Sequence, residues 1–328
     1  MNLEKAQPVQ EIQTPSHPEI KAHTKRNPLA IFKKMGKSWE LYLFLLPTLL
    51  YFVIFKYVPM YGLQIAFKDF IAVDGIWGSP WVGFDHFQRF FQSYKFWDLL
   101  KNSLLINTYQ LIFAFPLPII FALMLNQVTH TRFKKLVQTV TYAPHFISVV
   151  VLVGMILLFL SPSSGFVNNF IQLFGGEPIY FMGSESWFKS VYVGSEIWQT
   201  TGWSAIIYIA ALTSIDPNLH EAAIVDGASK FQRVLHIDLP GIMPVIMIMW
   251  ILQIGHFVTL GYQKILLMQN DLNIGSSEVI QTYVYKSGIL NSQFSYAAAI
   301  GLFENAINFI LLIMMNQFAK KMKQQSLF

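Results

Sequence analysis

Charge is missing from this chain over long unbroken intervals, and those intervals limit the possible folds more than any motif does. Leu136 to Gly176 runs for 41 residues without an Asp, Glu, Lys or Arg, and Asn102 to Thr131 and Leu239 to Gln263 are also uncharged. A helix needs about 20 apolar residues to cross a bilayer, so each interval is long enough to span one. Over the 328 residues 54% are apolar and 12% charged, against about 25% charged in an ordinary soluble domain. So thin a polar coat could not keep a fold of this size in water. The chain reads as an all-α integral membrane protein.

The uncharged intervals and the turn-rich segments between them predict six transmembrane helices, near 41–59, 103–126, 137–160, 190–213, 242–267 and 295–318. Ser161-Pro162-Ser163-Ser164-Gly165 closes the third. Pro47, Pro116, Pro118 and Pro144 fall inside spans, where neighbouring helices can re-satisfy the freed backbone groups. Residues 1–40 are polar, mixed in charge and unlike a secretory signal. They read as a tail, with a second tail at 319–328.

Counting Lys and Arg gives the orientation. Seven lie in the N-terminal tail, three after span two (Arg132, Lys134, Lys135), two after span four (Lys230, Arg233) and three near the C-terminus (Lys320, Lys321, Lys323), so 15 of 23 fall on one side. The positive-inside rule then makes both termini cytoplasmic. The same distribution explains the net charge of +5 without a nucleic-acid partner, and Lys33-Lys34 and Lys320-Lys321 suit anionic membrane lipid. On the external side, residues 60–100 are rich in aromatics, among them Trp77, Trp81, Phe90, Phe91, Tyr94, Phe96 and Trp97. They suit the headgroup belt or an external protein partner. Cysteine is absent, which excludes thiolate metal sites and a thiol nucleophile.

The loop between spans four and five, 214–241, is too long for a simple connector. Asp216 followed by Pro217 is a helix start, an N-cap with proline at the first helical position. That helix should run to about Asp226 and end at Gly227, the residue that tolerates a left-handed backbone. A second short helix is expected from Lys230 to His236, stopping before Leu239-Pro240. Together they would form a helix–turn–helix on the cytoplasmic face. Ala222 and Ala223 would leave one side of the first helix flat, with Glu221 beside them as a charge for a partner's Arg or Lys.

The loop resembles the EAA loop of ABC-importer permeases. Glu221, Ala222, Ala223, Gly227, Ile237, Leu239 and Pro240 match the motif at every spacing, and Asp226-Gly227-Ala228-Ser229 with Pro244 resembles its carbohydrate-uptake branch. Lys56 to Phe70 and Val82-Gly83-Phe84 with Phe87 resemble importers of oligosaccharides released from polysaccharides. The likeness covers roughly residues 40–318. It implies a type I ABC-importer permease fold with six transmembrane helices in a bacterial inner membrane, and a coupling role for Glu221, Ala222, Ala223, Asp226, Gly227, Ile237, Leu239 and Pro240. In such a machine the loop docks into a cytoplasmic ATPase dimer, which holds ATP and Mg. A second related permease completes the pathway, and an extracytoplasmic binding protein delivers the sugar.

Other motifs fail. Gly36-Lys37-Ser38 resembles the end of a phosphate loop, but the required earlier glycine is Ile31. His220-Glu221-Ala222-Ala223 is followed by Ile224 where a zinc protease needs His. No bound metal, cofactor or catalytic residue is therefore expected on this chain. A membrane-embedded glycan enzyme would need an acid–base or metal cluster, and an ion-coupled transporter would need inverted repeats; neither stands out. An importer of another solute class on the same fold stays open.

Ionisable groups inside spans usually face the bundle interior. Glu196, Gln199, Thr200 and Trp203 share one face of span four by their three- and four-residue spacing. Gln253, His256 and Phe257 are expected to do the same on span five. Planar polar groups and aromatic faces suit sugar hydroxyls and CH patches, so these two faces are candidates for the pathway, with ordinary interhelical packing as the alternative. Tyr142 and His145 are weaker candidates. Glu304 in span six is expected to partner Lys264 or a backbone group, and Glu196 to sit near the outer surface and be solvated.

Overall fold

A computed structural model describes residues 39–321, and among these every regular element is helical. A lone β-bridge pairs Lys68 with Trp81. Most of both expected tails, including Gly36-Lys37-Ser38 and Lys323, lies outside the described residues. The chain divides into two units, Met1–Tyr61 and Gly62–Phe328. Helix α1 (Trp39–Phe67) is long and apolar enough to cross a bilayer, and residues 39–61 of it are all exposed.

The second unit holds α2 (Phe96–Asn126), α3 (Thr131–Phe146), α4 (Val149–Phe159), α5 (Glu185–Thr213), α6 (Pro217–Val225), α7 (Lys230–Gly255), α8 (Tyr262–Met268) and α9 (Phe294–Lys321). Of these α2, α7 and α9 also have the length and apolarity of membrane spans. Helix α5 has the length, at 29 residues, but Glu196, Gln199, Thr200, Thr201 and Ser204 make its middle more polar.

Proline shapes these helices in a repeated way. Wide i→i+5 turns at Val53–Tyr57, Gln110–Ala114 and Val234–Asp238 each lead into a residue followed by proline: Pro59, Pro116 and Pro240. A proline lacks the N–H and its ring presses on the carbonyl four residues back. Opening the preceding turn relieves that clash and lets the helix continue. The second loop helix therefore does not stop before Leu239-Pro240 as the sequence suggests. Lys230 to Gly255 is one helix, and the start of the fifth predicted span is part of it.

Two other predicted spans are also revised. The third, 137–160, is not straight: α3 and α4 meet at an angle of 100°. Pro144 ends regular bonding, Ile147 and Ser148 are extended, and Ser148 caps α4 by accepting from the Val151 N–H at 3.4 Å. The fifth, expected at 242–267, ends at Gly255, and an irregular segment precedes α8.

The core falls into three main clusters. Ile119 and Ala122 of α2 meet Ala205 and Tyr208 of α5 and Ile242 of α7. Further along, Ile106, Leu152, Val153, Phe188 and Tyr192 pack with Ile265 and Met268 of α8. The third gathers Phe90, Leu99, Val258, Ile280, Tyr296 and Ile300. Phe90 meets Phe96 and Phe303 edge-on at 5.1 and 5.6 Å, so part of the aromatic segment is core. Trp77, Trp81, Tyr94 and Trp97 stay exposed.

Candidate functional site

Helices α2, α5 and α7 line an open cavity of about 630 Å³. Its polar lining comes from Gln110 on α2, from Glu196, Thr200, Trp203, Ser204 and Tyr208 on α5, and from Gln253 on α7. Four of the seven residues proposed from sequence for the pathway, Glu196, Thr200, Trp203 and Gln253, thus share one cavity. Trp203 offers it an aromatic surface and stacks on the His145 ring, with centroids 4.4 Å apart and planes 4° apart. Phe146 meets Trp203 edge-on at 5.5 Å. Gly202 allows this fit, since a Cβ there would strike the Thr141 carbonyl of α3.

Glu196 is not simply solvated. Its carboxylate accepts a 2.7 Å ion pair from Lys264 of α8, whose side chain is buried. The same ammonium lies 4.7 Å from the centre of the Tyr192 ring and 3.4 Å from the Tyr192 carbonyl. A buried ammonium needs such partners to be tolerated. Glu304, expected on Lys264 or on a backbone group, takes neither. It accepts from Thr259 Oγ1 and Gln281 Nε2, both at 2.9 Å. One turn on, Asn308 accepts from the Val258 N–H at 2.9 Å and donates to Thr259 Oγ1 at 2.8 Å. This pair on α9 satisfies the chain where α7 has ended.

Three of the proposed pathway residues do not line this cavity. Gln199 is buried and donates at 2.9 Å to the Ile147 carbonyl, freed by the α3–α4 break. His256 and Phe257 lie beyond the last turn of α7, so they do not continue the face of Gln253 and do not line the cavity.

At the other end of α7 lies the EAA loop. Asp216 caps α6 by accepting from the Asn218 N–H at 3.0 Å, with Pro217 at the first position. Gly227 at φ +77° closes it. The Gly227 N–H donates to the Ile224 carbonyl at 3.0 Å and the Ala228 N–H to the Ala223 carbonyl at 2.9 Å, the double bond pattern of a left-handed helix stop. Ser229 and Gln232 then cap α7 reciprocally. Glu221, Ala222, Asp226, Gly227 and Pro240 are exposed, while Ala223, Ile237 and Leu239 are half-buried. Around them Ile224, Val225 and Phe231 present apolar side chains to the surface.

The sequence pattern of the family described as binding-protein-dependent transport system inner membrane component matches residues 114–324. The chain is a member of that family. This permease is 44% identical over 312 residues to Protein LplB of Bacillus subtilis (strain 168), covering 93% of the chain and 98% of the relative. It is also 44% identical over 295 residues to the polygalacturonan/rhamnogalacturonan transport system permease protein YteP of the same organism, covering 90% and 92%. A crystal structure of a bacterial ABC transporter involved in the import of the acidic polysaccharide alginate contains a chain that matches with a TM-score of 0.84 at 38% identity, over 90% of the permease and 100% of that chain. The permease is a transport component of the inner membrane and not an enzyme.

Some residues of the permease site were not found from sequence. Gln110, Ser204 and Tyr208 also line the cavity, and the signal was present in part, since Asn107 lies three residues before Gln110 and Ser204 four before Tyr208. The sequence offers Lys264 only as a partner for Glu304. His145 reaches the cavity's edge through Trp203 because α3 bends, and nothing in its local pattern signals that bend's direction.

Proposed function

We propose that this permease is a six-span subunit of an ATP-driven importer for oligosaccharides, with α2, α5 and α7 lining its half of the pathway. The observation that carries this reading is the pairing of two features on one helix. Helix α7 contributes Met249 and Gln253 to the polar, aromatic cavity, and at its other end it emerges from the exposed, doubly capped EAA loop. A movement imposed on the loop is thereby conveyed to the cavity wall.

Counting α5 as a span gives the sixth. At about 1.5 Å per residue its 29 residues exceed a hydrocarbon core of about 30 Å, and its one mid-helix acid is neutralised by Lys264. Both termini then lie in the cytoplasm. Glu221, Ala222, Ala223, Asp226 and Gly227 form the surface that meets an ATPase dimer holding ATP and Mg. Ile237, Leu239 and Pro240 set the root of α7 behind it. A second related permease and an extracytoplasmic sugar-binding protein complete the assembly. The permease role of YteP and the alginate importer support sugar as the solute class, as do the cavity's amides, hydroxyls and indole.

The test is purification in mild detergent with mass spectrometry of the co-purifying chains, followed by ATP-driven uptake in vesicles. An ATPase, a second permease and a binding protein are expected. Glu221→Lys should release the ATPase while membrane insertion stays normal. An intact complex importing at the wild-type rate in that variant overturns the docking role.

A further inference from the structure

Behind the exposed face of α6 lies a junction that none of the motif residues explains. Asp238 is fully buried at the root of α7. Gln127, the C-cap of α2, donates to its Oδ2 at 2.9 Å. His220 of α6 brings Nε2 to 3.2 Å from Oδ1, a charge contact when the imidazole is protonated but without hydrogen-bond geometry, so Oδ1 is left with no hydrogen-bond partner. The positive charge of Arg233 also bears on the carboxylate. A buried carboxylate with few partners is expensive, and each partner it does have is held firmly.

We infer that His220, Asp238 and Gln127 are positioning residues that tie the loop helix rigidly to the two helices of the cavity wall. The argument is topological as well as chemical. His220 immediately precedes Glu221 but is half-buried and turned inward, whereas Glu221 and Ala222 are exposed. The helix α6 is nine residues long and contributes no buried side chain to the core. Apolar packing alone therefore holds it weakly, and a load on it would tilt it rather than move the bundle. Asp238 supplies a fixed point. It joins α6 to α7, which carries Met249 and Gln253, and to α2, which carries Gln110 and Phe115, so both helices lead from the junction to the cavity.

This inference rests on the reading of the chain as an ATP-driven permease, and the experiment separates the two. The complete importer is reconstituted in vesicles, and sugar uptake and ATP hydrolysis are measured together. His220→Phe keeps a ring of similar shape without a polar atom, and Gln127→Met removes the hydrogen bond to Oδ2. Both are expected to retain the ATPase, because the outward residues are untouched, and to continue hydrolysis. Sugar imported per ATP should fall about tenfold in Gln127→Met, as the loss of one hydrogen bond to a charged group implies, and measurably in His220→Phe, which loses the charge contact. His220→Gln, which returns an N–H near the position of Nε2, should recover most of that ratio. A wild-type ratio in His220→Phe overturns the proposal. So do equal defects in His220→Phe and His220→Gln, or a complex that no longer assembles with either, because the contact would then be structural only. If the wild-type complex itself shows no ATP-driven uptake, the permease reading fails first and the junction's role with it.

Discussion

Glu196 and Lys264 are bound at 2.7 Å, but their surroundings differ: the lysine side chain is 6% exposed and the glutamate side chain 29%. Their replacements should differ accordingly. Glu196→Gln leaves a buried ammonium with no counter-charge, only neutral acceptors and a ring face, whereas Lys264→Met leaves a carboxylate that the cavity can hydrate. Removing one partner of a buried pair costs about 3–5 kcal/mol at full burial. Partial exposure lowers this to about 2–3 kcal/mol for Glu196→Gln and about 1 kcal/mol for Lys264→Met. Thermal unfolding of the detergent-solubilised protein should rank them in that order, and the reverse ranking would refute the account. At this scale the sequence was a partial guide. Periodicity put Glu196, Thr200, Trp203 and Gln253 on inward faces, and the cavity contains all four. It could not separate Gln199, because a glutamine that serves a broken backbone and one that faces a cavity have the same spacing. The partner of Glu304 was missed for a similar reason, since Thr259 enters from the irregular chain beyond α7 and Gln281 from a short helix at 280–285.

Helix α5 lies close against its neighbours, and Gly202 is where it meets α3, with no room for a Cβ beside the Thr141 carbonyl. The obstacle is backbone and cannot rotate away, so Gly202→Ala must push the helices apart at a cost of about 1–3 kcal/mol. The same shift would separate Trp203 from His145. A lowered unfolding midpoint together with altered tryptophan fluorescence is the expected result, and an unchanged midpoint would mean the helices have slack there. Element boundaries were legible where local chemistry fixes them. Asp216-Pro217 and Gly227 delimit α6 as expected, because caps act within one turn. Boundaries were misread where proline was involved. Pro240 looked like a stop, yet the wide turn at Val234–Asp238 absorbs it. Pro144 looked tolerable within a span, yet the chain turns by 100° just beyond it. The outcome at a proline depends on whether nearby groups can satisfy the freed backbone, as Gln199 does for Ile147, and that is tertiary information.

For the whole molecule the question is how many times the chain crosses the bilayer between the aromatic segment and the EAA loop. Six spans place α2, the bent α3–α4 pair and α5 between Val73 and Val225, an odd number of crossings, so these residues face opposite sides. If either the bent pair is re-entrant or α5 lies outside the membrane, the number is even and they share a side. The chain has no cysteine, so a single introduced thiol gives an unambiguous signal. Val73 and Val225 are 95% and 87% exposed and Leu173, between α4 and α5, is 82% exposed, so each should accept a probe without disturbing the fold. With a membrane-impermeant maleimide on intact cells, Val73→Cys and Leu173→Cys should label and Val225→Cys should label only after permeabilisation. Labelling of Val225→Cys from outside would overturn the proposed cytoplasmic position of the loop, and with it the docking of an ATPase on Glu221. Protection of Leu173→Cys with Val73→Cys still labelled would identify the bent pair as re-entrant. If Val225→Cys is protected as well, helix α5 does not cross either, and its Glu196–Lys264 pair belongs to a surface cleft instead of a pathway.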